Sequence, residues 1–161
     1  MTYYTAYYRS SIGPLEINST EKSIVSVLFV TSERDTNSAC PEVISRCITQ
    51  LDEYFKGERR TFELPLFPDG TDFQMSVWNE LKKIPYGKVI SYLELAKRLG
   101  NSKSIRAAGT ASGKNKIGII IPCHRVIGSS GELVGYAGGL KNKQWLLEHE
   151  ARYAIGVQKL F

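Results

Sequence analysis

Histidine is almost absent from this chain, with two among 161 residues, and cysteine is scarce, with three. Three thiols cannot build a disulfide framework, and the spacing of Cys40, Cys47 and Cys123 matches no zinc ribbon, so no bound metal is expected. So few thiols suit a reducing, cytoplasmic setting. No apolar run approaches the ~18 residues that would cross a bilayer. The N-terminus, MTYYTAYYRSS, has neither a basic n-region nor an apolar h-region, so no signal peptide is expected. Hydrophobic residues at 42% and charged residues at 23% are ordinary for a globular protein, which excludes a disordered tail, a collagen-like fibre and a coiled coil. The length allows one compact domain or two small ones.

The net charge of +5 is unevenly distributed. Residues 1–70 hold 7 Lys/Arg against 10 Asp/Glu, which gives −3, and residues 71–161 hold 14 against 6, which gives +8. A basic half joined to an acidic one fits a chain that presents one part to a polyanion. It fits a generally soluble basic surface equally well, and charge alone does not separate the two.

The first third reads as strands: aromatic-rich Tyr3 to Arg9, Leu15 to Asn18 after the Gly13-Pro14 turn, and β-branched Ile24 to Val30. A helix is expected from about Pro41 to Lys56, with Val43, Cys47, Ile48, Leu51, Tyr54 and Phe55 at helical spacing and Gly57 ending it. Thr61 to Leu66 reads as one more short strand. The composition changes at Phe67-Pro68-Asp69-Gly70, which sets the expected domains at 1–70 and 71–161.

The second part reads as helices. Thr71 or Asp72 caps a helix carrying Phe73, Val77, Trp78, Leu81 and Ile84, stopped by Pro85-Tyr86-Gly87. Ser91 and Glu94 form a capping box before Leu95, Ala96 and Leu99, and Gly100 closes that helix. A further short helix runs from about Lys103 to Gly113. Two short helices around a glycine turn in a basic region are consistent with a helix-turn-helix, and the small residues of the second permit close approach to nucleic acid or to another helix. A loop of poor helix propensity is the alternative for 104–113.

Ile117 to Ile121 reads as a short buried strand delivering Pro122-Cys123-His124-Arg125 at its end. Positive charge from His124 and Arg125 beside the sulfur favours thiolate, the nucleophilic form. Cys47 is expected to be inert packing and Cys40 an exposed thiol. A histidine next in sequence to a thiol rarely faces it, but it can relay through water, and Glu150 could orient the imidazole on the logic of hydrolytic triads. By spacing alone, Glu148 and Glu150 are ordinary helix-surface charges.

Ile121-Pro122-Cys123-His124-Arg125-Val126-Ile127-Gly128 resembles the active-site signature of the O6-alkylguanine-DNA alkyltransferases, the methylated-DNA–protein-cysteine methyltransferases. Ile84 to Tyr92, Arg106-Ala107-Ala108-Gly109, Ser129-Ser130-Gly131, Gly135 to Gly139 and Leu146 to Glu150 follow in family order. The resemblance covers residues 70–152; over the first 70 it rests on length and a β-then-α pattern. It implies an α+β fold, with a small ribonuclease-H-like sheet-and-helix domain supporting a mainly helical, winged helix-turn-helix domain.

The resemblance also implies a chemistry. Cys123 would attack the O6-alkyl carbon of a damaged guanine (O4-alkylthymine is a possible second substrate), giving a stable thioether in a single event with no cofactor. The leaving guanine must be protonated or hydrogen-bonded as charge develops, the role implied for Tyr92, which also meets the lesion's phosphate. His124 would be the water-linked base, Glu150 its orienter, and Asn115 a brace for the turn. Pro122, Val126, Ser129, Tyr136 and Ala137 would form the substrate pocket. Arg106 would fill the space left by the flipped nucleotide in double-stranded DNA, approached through the minor groove. Ala107, Ala108, Gly109 and Ser112 would share that face. Lys103, Lys114 and Lys116 would meet phosphates. Arg125 is expected to make buried hydrogen bonds in its turn and is also carried among the DNA contacts. A monomer is expected. Two positions depart from the family pattern: Lys116 stands where proline is common, and Ala137 where serine is frequent. The competing readings are an alkyltransferase-like lesion binder that transfers nothing, against which the presence of Cys123 argues, and a cysteine hydrolase, which would leave the basic helix pair unexplained.

Overall fold

A computed structural model describes residues 2–34, 36 and 39–159. The fold is α+β: a small antiparallel sheet with one helix, followed by a mainly helical part. The chain divides into two compact units, Met1–Asp69 with Lys116–Ile120, and Gly70–Asn115 with Ile121–Phe161. The division is therefore not one cut, because five residues just upstream of Cys123 pack with the first unit.

In the first unit β1 (Tyr4–Ser10), β2 (Gly13–Ser19) and β3 (Ile24–Phe29) form a meander in sequence order, with Ala6 opposite Ile17 and Ile17 opposite Val27. Alternation along β2 buries Leu15 and Ile17 completely. The helix α1 (Glu42–Phe55) buries Val43, Ile44, Cys47, Leu51 and Tyr54, so the apolar face read from the sequence is the face that packs. Gly57, at φ +78°, turns the chain after it.

Two expected strands are not strands. Thr61 to Leu66 contributes one bridge, Leu66 to Ile24. The reason lies in α1, whose buried Gln50 donates to the Glu63 carbonyl (3.2 Å) and accepts from the Glu63 amide (2.9 Å), occupying the backbone that a ladder would use. Ile117 to Ile121 likewise contributes one bridge, Ile117 to Val27, fixed by Val27 N–H to the Lys116 carbonyl (2.8 Å) and Gly118 N–H to the Val27 carbonyl (2.9 Å). It then turns instead of extending.

The second unit contains α2 (Asp72–Leu81), β4 (Ile90–Ser91), α3 (Tyr92–Arg98), α4 (Ile105–Gly113), β5 (Val126–Ile127) and α5 (Leu140–Lys159). Thr71 caps α2 through a reciprocal box with Gln74, and α2 ends at Leu81, a turn earlier than Pro85 would enforce. Ser91 Oγ accepts the Glu94 amide at 3.0 Å, while the Glu94 carboxylate pairs with Arg98 at 3.6 Å. Gly100, at φ +87°, closes α3, and a 3-10 turn over Ser102–Ser104 leads into α4. Helices α2, α3 and α4 pack on one another around Val77, Trp78, Leu81, Leu95, Ala108 and Ala111. Trp78 is satisfied by its indole N–H, which donates to the Ala111 carbonyl at 2.9 Å. Among the described residues no helix is long and apolar enough to cross a membrane.

Candidate active site

Two tight turns bring the chain to Cys123. Ile119 has φ +66°, a left-handed conformation that a β-branched residue rarely adopts, and the Ile120 amide donates to the Gly118 carbonyl at 2.7 Å. Pro122, at φ −83° and ψ 65°, then centres an inverse γ-turn closed by the Cys123 amide on the Ile121 carbonyl at 2.8 Å. Cys123–Arg125 form a 3-10 turn directly after it. Asn115, at the end of α4, ties the turn together. Its Nδ2 donates to the Ile121 carbonyl at 2.9 Å and to Cys123 Sγ at 3.3 Å.

Glu150, on α5, is fully buried and collects the polar groups behind the thiol. His124 Nε2 lies 2.7 Å from Oε2; Arg125 donates from Nε to Oε1 at 2.7 Å and from Nη2 to Oε2 at 3.0 Å; the Gly87 amide donates to Oε1 at 3.3 Å. Burial opposes ionisation of Glu150, but His124 and Arg125 outweigh it and hold the carboxyl well below the usual carboxylate range. Burial pushes His124 below its ordinary value, with Glu150 pulling the other way. A neutral imidazole beside an ionised carboxylate carries its proton on Nε2. That leaves Nδ1, which is buried and makes no hydrogen bond within the protein, as the basic atom.

Arg125 is only 6% exposed, and its third nitrogen, Nη1, donates to the Ile84 carbonyl at 2.7 Å. It therefore cannot serve as the DNA contact it was also expected to be; Glu150 and Ile84 hold the whole guanidinium inside. The thiolate expectation needs correcting as well. Burial pushes the Cys123 thiol up, and the groups that oppose burial are Asn115 and Lys143, not His124 or Arg125. His124 is neutral and Arg125 is already neutralised by Glu150. The resting group is a thiol.

Cys123 opens onto a cavity of about 500 Å³ lined by Tyr92, Arg106, Gly109, Ser112, Tyr136 and Ala137, together with Ile105, Thr110, Gly113, Val134 and Gly135. Six of the expected site residues thus meet around the sulfur. Others do not. Val126 is fully buried in β5, Pro122 acts through its backbone turn, and Ser129 is exposed on a turn away from the cavity. Ala108 faces the α2–α3 core and cannot touch DNA. Ala107 and Lys103 lie on the opposite flank of α4. Lys114 and Lys116 are exposed. Among the described residues no cluster of three or more His, Cys, Asp or Glu could hold a metal ion.

Family signatures match most of the chain. The signature described as the 6-O-methylguanine DNA methyltransferase DNA binding domain matches residues 72–152, and that of the ribonuclease-like domain of the same enzyme matches residues 3–68. The chain belongs to the 6-O-methylguanine DNA methyltransferase family. A methylated-DNA–protein-cysteine methyltransferase of Methanosarcina acetivorans is 44% identical over 152 residues, covering 91% of this chain and 97% of that protein. The crystal structure of Mycobacterium tuberculosis O6-methylguanine methyltransferase superposes with a TM-score of 0.86 at 39% identity, covering 94% of each chain. A structure of Mycobacterium tuberculosis OGT in complex with DNA gives 0.84 at 41% identity, covering 94% of this chain and 93% of that one.

Two groups in this methyltransferase-family site escaped the sequence reading. Lys143 has no measurable exposure; its Nζ donates to the carbonyls of Val134 (2.9 Å) and Gly135 (3.3 Å) and lies 5.7 Å from the Tyr92 ring centre. The Tyr92 hydroxyl donates to the same Val134 carbonyl at 3.0 Å. One lysine thus positions the loop that walls the cavity. A signal existed: Lys143, Leu146 and Glu150 recur at i, i+3 and i+7, so helical period alone puts Lys143 on the buried stripe of α5. The second is the Gly87 amide on Glu150, for which the sequence held only a turn glycine.

Proposed function

We propose that this protein repairs DNA by moving the alkyl group of an O6-alkylated guanine onto Cys123 Sγ, once per chain. One observation carries the reading: a buried thiol lines a cavity walled by the small-residue helix α4, and the next residue in the chain, His124, is a neutral imidazole held by an ionised Glu150.

His124 Nδ1 accepts the thiol proton through an intervening water, Glu150 stabilises the imidazolium, and the sulfur forms its bond to the alkyl carbon as the carbon–O6 bond breaks. The guanine leaves as an anion, and the Tyr92 hydroxyl, at the cavity wall, turns its proton from the Val134 carbonyl to supply the hydrogen bond or proton the anion needs. Asn115 donates to sulfur throughout, steadying negative charge there. Lys143 keeps Val134 and Gly135 in place beside the base. The thioether is stable, so the written reaction needs no cofactor and has no route back to the thiol.

The reacting carbon is unreachable inside a stacked duplex, so the nucleotide must flip, at about a few kcal/mol. Arg106, exposed at the cavity rim, is suited to fill the gap from the minor groove, and Lys103, Lys114 and Lys116 to meet phosphates. We read the working form as a monomer acting on double-stranded DNA in the cytoplasm. A lesion binder without transfer would have no use for a thiol at the cavity floor. Repair of an O6-methylguanine duplex tests this: the yield saturates at one lesion per chain and vanishes in Cys123→Ser, whereas multiple turnovers would refute it.

A further inference from the structure

The wall that α4 turns to the Cys123 cavity is not uniform. At Gly109 it is crowded, because a Cβ there would lie 3.5 Å from the Tyr92 ring. One turn further on it is open: Gly113 also lines the cavity, and a Cβ there would meet nothing within 4 Å. Between the two glycines stands Ser112, which lines the same cavity and is only 3% exposed. No hydrogen bond among the described residues engages its hydroxyl. The Ser112 carbonyl accepts the Asn115 amide at 3.2 Å, and Asn115 Nδ2 in turn donates to Cys123 Sγ at 3.3 Å. A polar group without a partner and a volume without an occupant thus lie together, three residues from the side chain that touches the sulfur. Transfer of a methyl group uses neither.

We infer that Ser112 sets specificity among the adducts longer than methyl: its hydroxyl hydrogen-bonds their far end and favours O6-(2-hydroxyethyl)guanine over O6-ethylguanine. The inference rests on reading Cys123 as the acceptor of the alkyl group. The reacting carbon must come within about 3.5 Å of Sγ, with O6 on its far side, before displacement occurs. A second carbon therefore projects sideways from the line of sulfur, carbon and O6. The room for it lies at Gly113, since Tyr92 closes the space at Gly109, and Ser112 stands at the edge of that room.

An ethyl group placed there displaces water from the hydroxyl and offers nothing in return, the costly way to bury a polar group. A hydroxyethyl group offers an oxygen that both donates and accepts. A site that presents an unpaired polar group rejects an apolar occupant more sharply than added apolar contact selects one. A carboxylate end fits less well, because negative charge forms on the sulfur beside it while Arg106 stands out at the cavity rim. The chemical step is unchanged. The carbon–sulfur bond forms as the carbon–O6 bond breaks, the thiol proton passes through water to His124, and the guanine anion takes its proton from Tyr92. The adduct's own hydroxyl is carried over intact.

Single-turnover transfer from duplexes carrying O6-(2-hydroxyethyl)guanine or O6-ethylguanine tests the assignment, measured with the wild type, Ser112→Ala and Ser112→Thr. The quantity read is the hydroxyethyl-to-ethyl rate ratio, in which any general loss of folding or DNA affinity in a variant cancels. The expected ratio is about threefold to tenfold higher in the wild type than in Ser112→Ala. Ser112→Thr, which keeps the hydroxyl, retains most of that difference. Equal ratios in the wild type and Ser112→Ala would overturn the inference while alkyl transfer to Cys123 stands, as would a protein that transfers methyl but neither longer group. No transfer to Cys123 from either duplex or from an O6-methylguanine one would sink the proposed function, and this inference with it.

Discussion

His124 Nε2 lies 2.7 Å from Glu150 Oε2, both side chains are closed to solvent, and the next residue in sequence, Arg125, grips the same carboxylate through two nitrogens. The pairing sets the imidazole's tautomer. It also neutralises what would otherwise be an isolated buried guanidinium. One carboxylate thus serves both the chemistry and the fold.

Removing it exposes both roles. Glu150→Gln leaves Arg125 without a counter-charge, and breaking a buried pair from one side costs about 3–5 kcal/mol. Urea unfolding of Glu150→Gln is expected to show a loss of that order, with slower alkyl transfer in the protein that remains folded. A loss under about 1 kcal/mol would mean the pair is far more solvated than its burial indicates.

Acid should weaken the fold in two steps. His124 has a folded pKa below its ordinary 6.5, so the unfolded chain binds that proton first and stability falls as pH drops below about 6.5. Glu150 has a folded pKa below its ordinary 4.5, so its contribution is present above 4.5 and is lost as pH falls further. Melting temperature against pH reads both windows, and His124→Asn should flatten the first. The transfer rate should stay level from neutral into mild acid, because the buried imidazole remains neutral there.

Asn115→Ala strands the Ile121 carbonyl inside the protein and removes the donor to Cys123 Sγ. The expected cost is about 1–3 kcal/mol of stability. Thiol titration, in a Cys40→Ser background that silences the exposed cysteine, should show a Cys123 that ionises at higher pH.

Much of this was readable in the residues. The caps at Thr71 and Ser91, the turns at Gly57 and Gly100 and the buried stripe of α1 all act through neighbours within four positions, the range over which sequence patterns speak. Ile117 to Ile121 misled because apolar β-branched composition is shared by a strand and by a buried turn. Only the long-range bonds to Val27 and the Asn115 brace decide between them. The source of charge on the sulfur was misjudged for the same reason: His124 and Arg125 adjoin Cys123 in sequence but face Glu150, 25 or more residues away.

Gly87 illustrates a constraint that no pattern reveals. It sits at φ +77°, and a Cβ there would come 2.8 Å from the Ala154 Cβ. Gly87→Ala is expected to lose about 1–3 kcal/mol and to disturb the amide on Glu150. Adding Ala154→Gly should recover the steric part and leave the dihedral part, which urea unfolding of the single and double variants can separate.

Arg106→Ala should slow repair of a duplex by about tenfold and affect a single-stranded oligonucleotide far less, because only the duplex has stacking to be replaced. Equal losses on both substrates would remove Arg106 from the flipping step.

The claim at the centre is that the alkyl group ends on one sulfur. Peptide-level mass spectrometry after mixing equal amounts of protein and O6-methylguanine duplex reads this directly. The account predicts a single added methyl on the peptide carrying Cys123, with Cys40 and Cys47 unmodified. An unmodified Cys123 peptide from a reaction in which the lesion has disappeared would contradict it.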